Sequence, residues 1–243
     1  MKFAQNTNIG HCRQTNEDST TALVNKNGDL LSLICDGMGG HLGGFYASSK
    51  SIELFESEFK KAPVFEKVKD IYDWIYITTE RVNRELFNKS NEDNNYKGMG
   101  TTMVCCIISK NMKVYANIGD SRIYKYENKE LVQLSEDQTL VGALLKAGYL
   151  NKEEAATHPK RSMLLNALGT NPQLDIQINS FSMKKGYLLL CSDGLYNMVD
   201  LEEIENILNS KKTVEEKVEL LIQRANDAGG KDNITVNIVE VGL

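Results

Sequence analysis

Four aspartates stand where apolar runs of the chain begin or end. Asp36 closes LLSLIC and is followed by DGMGGHLGG, in which five of the eight residues after the acid are glycine. Asp193 ends the run in GYLLLCSDGL, Asp120 closes MKVYANIGD, and Asp232 precedes NITVNIV. Asp-Gly between apolar runs is a strong hairpin signal, and a turn is the simplest reading of either Asp-Gly taken alone. That reading suits Asp193-Gly194 poorly, because a helix-like stretch follows it, and it says nothing about GGKDN. The alternative is that strand ends carry all four acids to one rim. Carboxylates brought within a few ångströms raise one another's pKa, so such a cluster calls for a cation. Oxygen donors alone select a hard ion, Mg²⁺ or Mn²⁺. His11, His41 and His158 are scattered and there is no Cys-x-x-Cys, which leaves no zinc site. The glycines after Asp36 then read as a tight turn that lets backbone carbonyls and substrate come close to an ion.

A fifth feature is RQTNEDS, which sets Arg13 four residues before Glu17 and five before Asp18. An arginine here is either a surface ion-pair partner or a bidentate donor to phosphate beside further acids. Competing phosphate chemistries fail on spacing. Gly-x-Gly-x-x-Gly from Gly37 and Gly39 would need glycine where Leu42 stands, and a Walker loop on Gly39 and Gly44 would need lysine where Phe45 stands. The Cys-x5-Arg loop of cysteine-dependent phosphatases is absent, since the positions six residues after the cysteines are Asp18, His41, Asn111, Met112 and Asn197.

The elements that must position these groups are legible as two patterns. DSTTALV, DLLSLICD, TTMVCCIIS, MKVYANIGD, RIYKYEN, ELVQLS, LDIQINSF, GYLLLCSD and NITVNIVEV read as strands. A helical region spans roughly 47–87, with Ile71, Ile75, Thr78, Val82 and Leu86 on one face and Trp74 in the core. Asp200 with Glu203, and Thr213 with Glu216, match capping boxes; the second opens a helix with Val214, Val218, Leu221, Ile222 and Ala225 on one face, stopped by Gly229-Gly230. Strands in clusters with helices grouped between them predict an α+β fold of antiparallel sheets covered by helices.

Composition narrows the function classes. With 243 residues, three prolines and no low-complexity stretch, the chain is expected to form one domain, 1–243. A net charge of −5 without a basic cluster argues against nucleic acid and anionic membrane as partners. The start lacks a signal-peptide core and no apolar run is long enough to span a bilayer, so a cytoplasmic protein is expected. Five cysteines, an odd number with Cys105 and Cys106 adjacent, read as reduced core thiols.

In series, Arg13 with NED, DGMGGH, GTT, NIGDSRIY, SEDQTLVGALLKAG, ALG, CSDGL and GGKDNITV resemble the PPM (PP2C-type) metal-dependent protein serine/threonine phosphatases in their compact bacterial form, over about residues 3–240. The resemblance implies a β-sandwich of two antiparallel sheets flanked by pairs of antiparallel helices, a four-layer αββα fold, with two Mn²⁺ or Mg²⁺ ions at one end and a water bridging them that attacks phosphorus. By the same resemblance Asp36 bridges both ions and the Gly37 carbonyl binds one of them. Asp193 and Asp232 hold the other, Glu17 and Asp18 act mainly through water, and Asp120 with Asp193 holds a weaker third ion. Arg13 is similar to the arginine that binds substrate phosphate, and Asn233 follows the last ligand at the substrate end of the site. Relatives place a candidate proton-donating histidine directly after Asp-Gly; this chain has Met38 there and His41 three residues on. Where bacterial members commonly have histidine after Glu-Asp, it has Gln138. Residues 138–169 correspond to the family's flap, with Leu140, Leu144 and Leu145 on a short helix packed against the sandwich and THPKRS exposed. The function implied is hydrolysis of phosphoserine and phosphothreonine in proteins by a monomer, opposing a bacterial Hanks-type kinase and its targets. A non-catalytic pseudophosphatase and a partner-switching phosphatase are the competing readings. No expected ligand is substituted, which disfavours the first, and the sequence shows no appended sensory segment, which disfavours the second.

Overall fold

The strand Leu30–Met38 (β3) shows why several runs are apolar at nearly every position. Leu31, Leu33 and Cys35 face one buried layer, while Leu30 and Ile34 face another, so both sides of the strand are covered. Met103–Ser109 (β5) divides its residues in the same way, which sends the adjacent Cys105 and Cys106 to opposite layers. Cys35, Cys105, Cys106 and Cys191 are buried free thiols, as expected, and Cys12 is exposed. The computed structural model describes residues 1–242, apart from the side chains at 41, 152 and 156.

Among the described residues there are eleven strands and seven α-helices. The remaining strands are Lys2–Asn8 (β1), Asp18–Val24 (β2), Gly100–Thr101 (β4), Met112–Ile118 (β6), Arg122–Glu127 (β7), Glu130–Gln133 (β8), Gln177–Ser180 (β9), Gly186–Cys191 (β10) and Ile234–Val241 (β11). One sheet has the order β1-β11-β10-β7-β8; the other runs β2-β3-β5-β6-β9, with β4 beside β3, and every pairing is antiparallel. The helices are His41–Lys60 (α1), Val68–Glu92 (α2), Leu140–Lys146 (α3), Lys152–Thr157 (α4), Asp193–Tyr196 (α5), Leu201–Asn209 (α6) and Val214–Asp227 (α7). Helices α1 and α2 cover the second sheet through Phe55, Phe59, Ile71, Ile75, Val82 and Leu86, joined by Phe65 of the segment between them. Helices α6 and α7 cover the first through Ile204, Leu208, Val218, Leu221 and Ile222. Between the sheets lies a third apolar layer that includes Leu30, Val104, Tyr115, Leu188 and Val239. This is the expected four-layer α+β sandwich. No described helix is long and apolar enough to cross a membrane.

Several local expectations hold. Thr213 and Glu216 form a complete capping box on α7, and Asp200 accepts from the Glu203 amide. Trp74 packs edge-on to Phe59, with ring centroids 5.5 Å apart. Others need correction. The helical region of 47–87 is two helices, and α1 begins at His41, so Gly43 and Gly44 lie in its first turn instead of in a loop. The reversal after Asp36 is confined to Gly39 and Gly40, with φ of 109° and 86°. KFAQNTN has almost no apolar alternation and gives no strand pattern of its own; as β1 it is an edge strand held through its ladder with β11. In α3 the buried side chain is Val141, while Leu145 is 37% exposed.

Candidate active site

Antiparallel pairing puts the end of one strand beside the start of the next, and at one end of the sandwich this happens at both sheets. Asp18 opens β2 and is the register partner of Asp36 near the end of β3. Asp193 follows β10 while Asp232 precedes β11, and the Ser192 amide donates to the Thr235 carbonyl across that pair at 3.1 Å. Asp120 lies in the turn from β6 to β7. Arg13, Glu17, Asp36, Gly37, Asp120, Asp193, Asp232 and Asn233 thus line one cleft of about 370 Å³, which Ser162 and Leu164 of the 138–169 segment border from above. It shares Asp120, Ser162, Asp193 and Asp232 with a neighbouring cleft of about 920 Å³ that runs beneath α3.

The backbone of Asp36 is held from both sides by the pair that follows Gly100. The Asp36 amide donates to Thr102 Oγ1 at 3.0 Å, while its carbonyl accepts from the Thr102 amide at 2.8 Å and from Thr101 Oγ1 at 2.9 Å. Beside it the Gly37 backbone packs against Gly44 of α1. A Cβ on Gly37 would fall onto the Gly44 carbonyl and lie 2.7 Å from the Glu17 carbonyl, and one on Gly44 would strike the Glu17 carboxylate. Two of the five glycines are therefore required by strand-to-helix contact at the wall of the cleft.

Asp18 is 5% exposed and anchored from below. Its Oδ2 accepts from Ser192 Oγ at 2.8 Å and from Thr235 Oγ1 at 2.6 Å, while its Oδ1 is buried without a partner. Burial raises the Asp18 pKa to about 6 against these two bonds. Asp36 is pushed well above the usual carboxylate range, by burial first and then by the charges of Asp18, Asp193, Asp120 and Asp232. Asp193 rises to about 8 by burial and by Asp120 and Asp232, and Asp120 to about 6 by burial and by Asp137. Burial is the first cause in each case and the neighbouring acids add to it, so these carboxylates are costly to hold ionised together without a compensating cation.

Among the described residues, no three His, Cys, Asp or Glu side chains close around a single point as a complete ligand set. The fit to hard divalent ions rests on other features. The cleft is lined by the acidic residues Glu17, Asp36, Asp120, Asp193 and Asp232 and by Gly37, and oxygen donors are what Mg²⁺ and Mn²⁺ take. The Asp18 Oδ1 facing no donor is an acceptor with capacity to spare. The Gly37–Gly44 contact keeps the wall there free of side chains.

Arg13 Nη2 donates to Asp232 Oδ2 at 2.7 Å, so phosphate would meet a guanidinium already oriented by a carboxylate. Asn233, expected at the substrate, is 6% exposed and spends its amide on the backbone. Its Oδ1 accepts from the Glu17 amide, and its Nδ2 donates to the carbonyls of Ile9 and Thr15, all at 2.9–3.0 Å. It acts by holding the loop that carries Arg13 and Glu17. The side chain of His41, the candidate proton donor, lies outside the described residues. Gln138 pins the base of the flap: its Oε1 accepts from the Gly119 amide and from Asn166 Nδ2, both at 2.9 Å, and its Nε2 donates to the Asp175 carbonyl at 3.0 Å. Thr101, Thr102, Ser192 and Thr235 carry no local pattern that announces their hydrogen bonds to Asp36 and Asp18. Each lies inside a motif already singled out, but only the partner across the sheet reveals what its hydroxyl does.

Comparisons with known proteins match nearly the whole chain. A family model described as Protein phosphatase 2C matches residues 10–236. The chain is 40% identical over 238 residues to the serine/threonine phosphatase stp of Listeria monocytogenes, covering 98% of this chain and 94% of that protein. It is 36% identical over 242 residues to the protein phosphatase PhpP of Streptococcus pneumoniae, covering 99% and 98%. Among solved structures, the serine/threonine phosphatase of S. agalactiae superposes with a TM-score of 0.94 at 35% identity over 99% of each chain.

Proposed function

This chain belongs to the protein phosphatase 2C family, and from that premise we propose that the acid-lined cleft is the centre at which its phosphatase activity, metal-dependent removal of phosphate from serine and threonine of proteins, takes place. Asp36, the Gly37 carbonyl, Asp193 and Asp232 would hold two Mn²⁺ or Mg²⁺ ions. Asp18 and Glu17 would support them through water, and Asp120 with Asp193 would take a weaker third ion. Bound divalent cations supply charge neutralisation at the phosphoryl oxygens and lower the pKa of nearby water.

The chain's own residues perform the positioning that phosphoryl transfer chiefly requires. Arg13 offers guanidinium N–H groups to the phosphoryl oxygens, a role its place on the cleft wall beside Asp232 suits. Asn233 ties down the backbone of the loop on which Arg13 rides, and Thr101 and Thr102 tie down the backbone of Asp36, so both walls of the cleft are anchored. Water attacks phosphorus in line, the bond from phosphorus to the serine or threonine oxygen breaks, and that oxygen takes up a proton; His41 is the proposed donor. Inorganic phosphate and the free hydroxyl leave. The biological counterpart is a serine/threonine kinase of the bacterial Hanks type whose targets this enzyme would restore in the cytoplasm.

The observation that carries this reading is the register pairing of Asp18 with Asp36 at the cleft, with Asp18 Oδ1 buried and unpartnered. The decisive experiment is hydrolysis of a phosphothreonine peptide with Mn²⁺, then with EDTA, then with Mn²⁺ restored, in wild type and Asp36→Asn. The expected result is activity that is lost and regained with the ion in wild type and is absent from the variant. Turnover by the variant near the wild-type rate would remove Asp36 from the centre, and no phosphate release by wild type in any tube would favour a pseudophosphatase.

A further inference from the structure

The end of the sandwich opposite the acids carries a second cavity with the reverse charge. The β2–β3 turn at Asn25–Asp29, the β5–β6 turn at Lys110–Asn111, the approach to β10 at Phe181–Lys184 and the exit of β11 at Val241 meet there around about 710 Å³, a size that suits a small organic ligand. In a chain with a net charge of −5, the titratable side chains on this wall are Lys110, Lys113 and Lys184 against one acid, Asp29. The Asp29 carboxylate is itself engaged, accepting from Asn25 Nδ2 at 3.2 Å.

Lys113 is the informative residue. It shares a face of β6 with Tyr115, which belongs to the layer between the sheets, and is 8% exposed. Its stem therefore covers the end of that layer while its amine reaches the cavity. Among the described residues that amine forms no ion pair, and its hydrogen bond is a single long one, 3.5 Å to the Asn111 carbonyl. An ammonium has three donors, and this one spends only a single long bond on the protein, which leaves it able to meet an anion in the cavity. Lys110 Nζ reaches Glu66 only at 3.9 Å, and Lys184 makes no ion pair among the described residues. Both are exposed at the rim, where they can turn inward. The floor between the lysines is apolar, formed by Ile108, Phe181 and Met183.

We infer that this distal cavity binds a small phosphorylated molecule with an apolar or aromatic body, its phosphate on Lys113 with Lys110 and Lys184 closing over it and its body against Phe181 and Met183. Compact ammonium groups suit phosphate as point-charge partners, and the apolar floor would give such a molecule an advantage over inorganic phosphate. The site shares no residue with the acid-lined cleft.

The test is calorimetric titration with ADP, pyrophosphate and adenosine in EDTA, so that no divalent ion can recruit phosphate to the acid-lined cleft. Asp36→Asn protein is titrated in parallel. The inference expects ADP to bind both proteins alike, more tightly than pyrophosphate or adenosine, and to lose about tenfold or more in affinity in Lys113→Met. Should Lys113→Met fold poorly, the double variant K110E/K184E, altered only at exposed positions, is expected to lose binding by a similar factor while keeping Mn²⁺-dependent hydrolysis. Absence of ADP binding at millimolar concentration would overturn the inference. So would adenosine binding as tightly as ADP, or ADP affinity unaffected by the lysine substitutions.

Discussion

Replacing Thr235 with valine tests the architecture beneath the cleft without touching its surface. Thr235 is fully buried, and its hydroxyl is the third group in a chain of donors. Asn16 Nδ2 donates to Thr7 Oγ1 at 2.9 Å, the Thr7 hydroxyl to Thr235 Oγ1 at 2.7 Å, and the Thr235 hydroxyl to Asp18 Oδ2 at 2.6 Å. Valine keeps the shape and deletes the last two bonds, the one from Thr7 and the one to Asp18. A hydrogen bond to a charged group contributes roughly 1.5–3 kcal/mol net, and Thr7, being only half-buried, can turn to water, so the expected loss is about 2 kcal/mol. For a chain of this length that corresponds to a Tm lower by roughly 4–8 °C. Asp18 would keep only the Ser192 bond, and loss of such an orienting partner typically weakens ion binding by about 10- to 100-fold. Thermal melting at pH 7.5 in EDTA and calorimetric Mn²⁺ titration measure the two effects separately. A Tm within about 1 °C of wild type together with unchanged Mn²⁺ affinity would refute the view that Asp18 is built into the centre through this chain.

The raised carboxyl pKa values carry a sign that can be checked. Asp18 and Asp120 at about 6 and Asp193 at about 8 hold protons in the folded state that the unfolded chain, with a value of 3.8, has already released. Their contribution to stability is therefore present in acid and lost as pH rises from about 4 to 8, so in EDTA the urea midpoint should be higher at pH 5 than at pH 8; the opposite order would contradict the crowding of these acids. Arg13→Ala should raise KM for a phosphopeptide about tenfold with a smaller change in kcat, as for a lost binding contact, and an unchanged KM would remove Arg13 from substrate recognition. Gln138→Ala deletes three hydrogen bonds at the base of the flap. Amide exchange at residues 164–168 should accelerate by about tenfold or more while exchange in β5 and β10 stays slow, and uniform protection would show that Gln138 does not hold the segment.

The chemistry of this protein was legible in its sequence because it depends on residue type next to local pattern. Apolar runs ending in Asp36, Asp120 and Asp193, and one beginning after Asp232, announce acids at strand termini, and strand termini in antiparallel sheets collect at the two ends. The capping residues of α6 and α7 and the free thiols are local in the same sense. Tertiary structure decided whatever depends on a partner far along the chain. Strand β1 exists only because β11 offers it a ladder, and Gly44 is a helix residue whose missing side chain serves Gly37 across a contact. The amide of Asn233 is engaged in holding the Arg13 loop, while the hydroxyls of Thr102 and Thr235 acquire tasks from Asp36 and Asp18. The unpaired amine of Lys113 shows itself only once four distant turns close around it. Hydrophobic period and turn chemistry are written in neighbouring residues, whereas register and side-chain partnership arise from packing between segments far apart in the chain, as when Asn233 donates to the carbonyl of Ile9, 224 positions away.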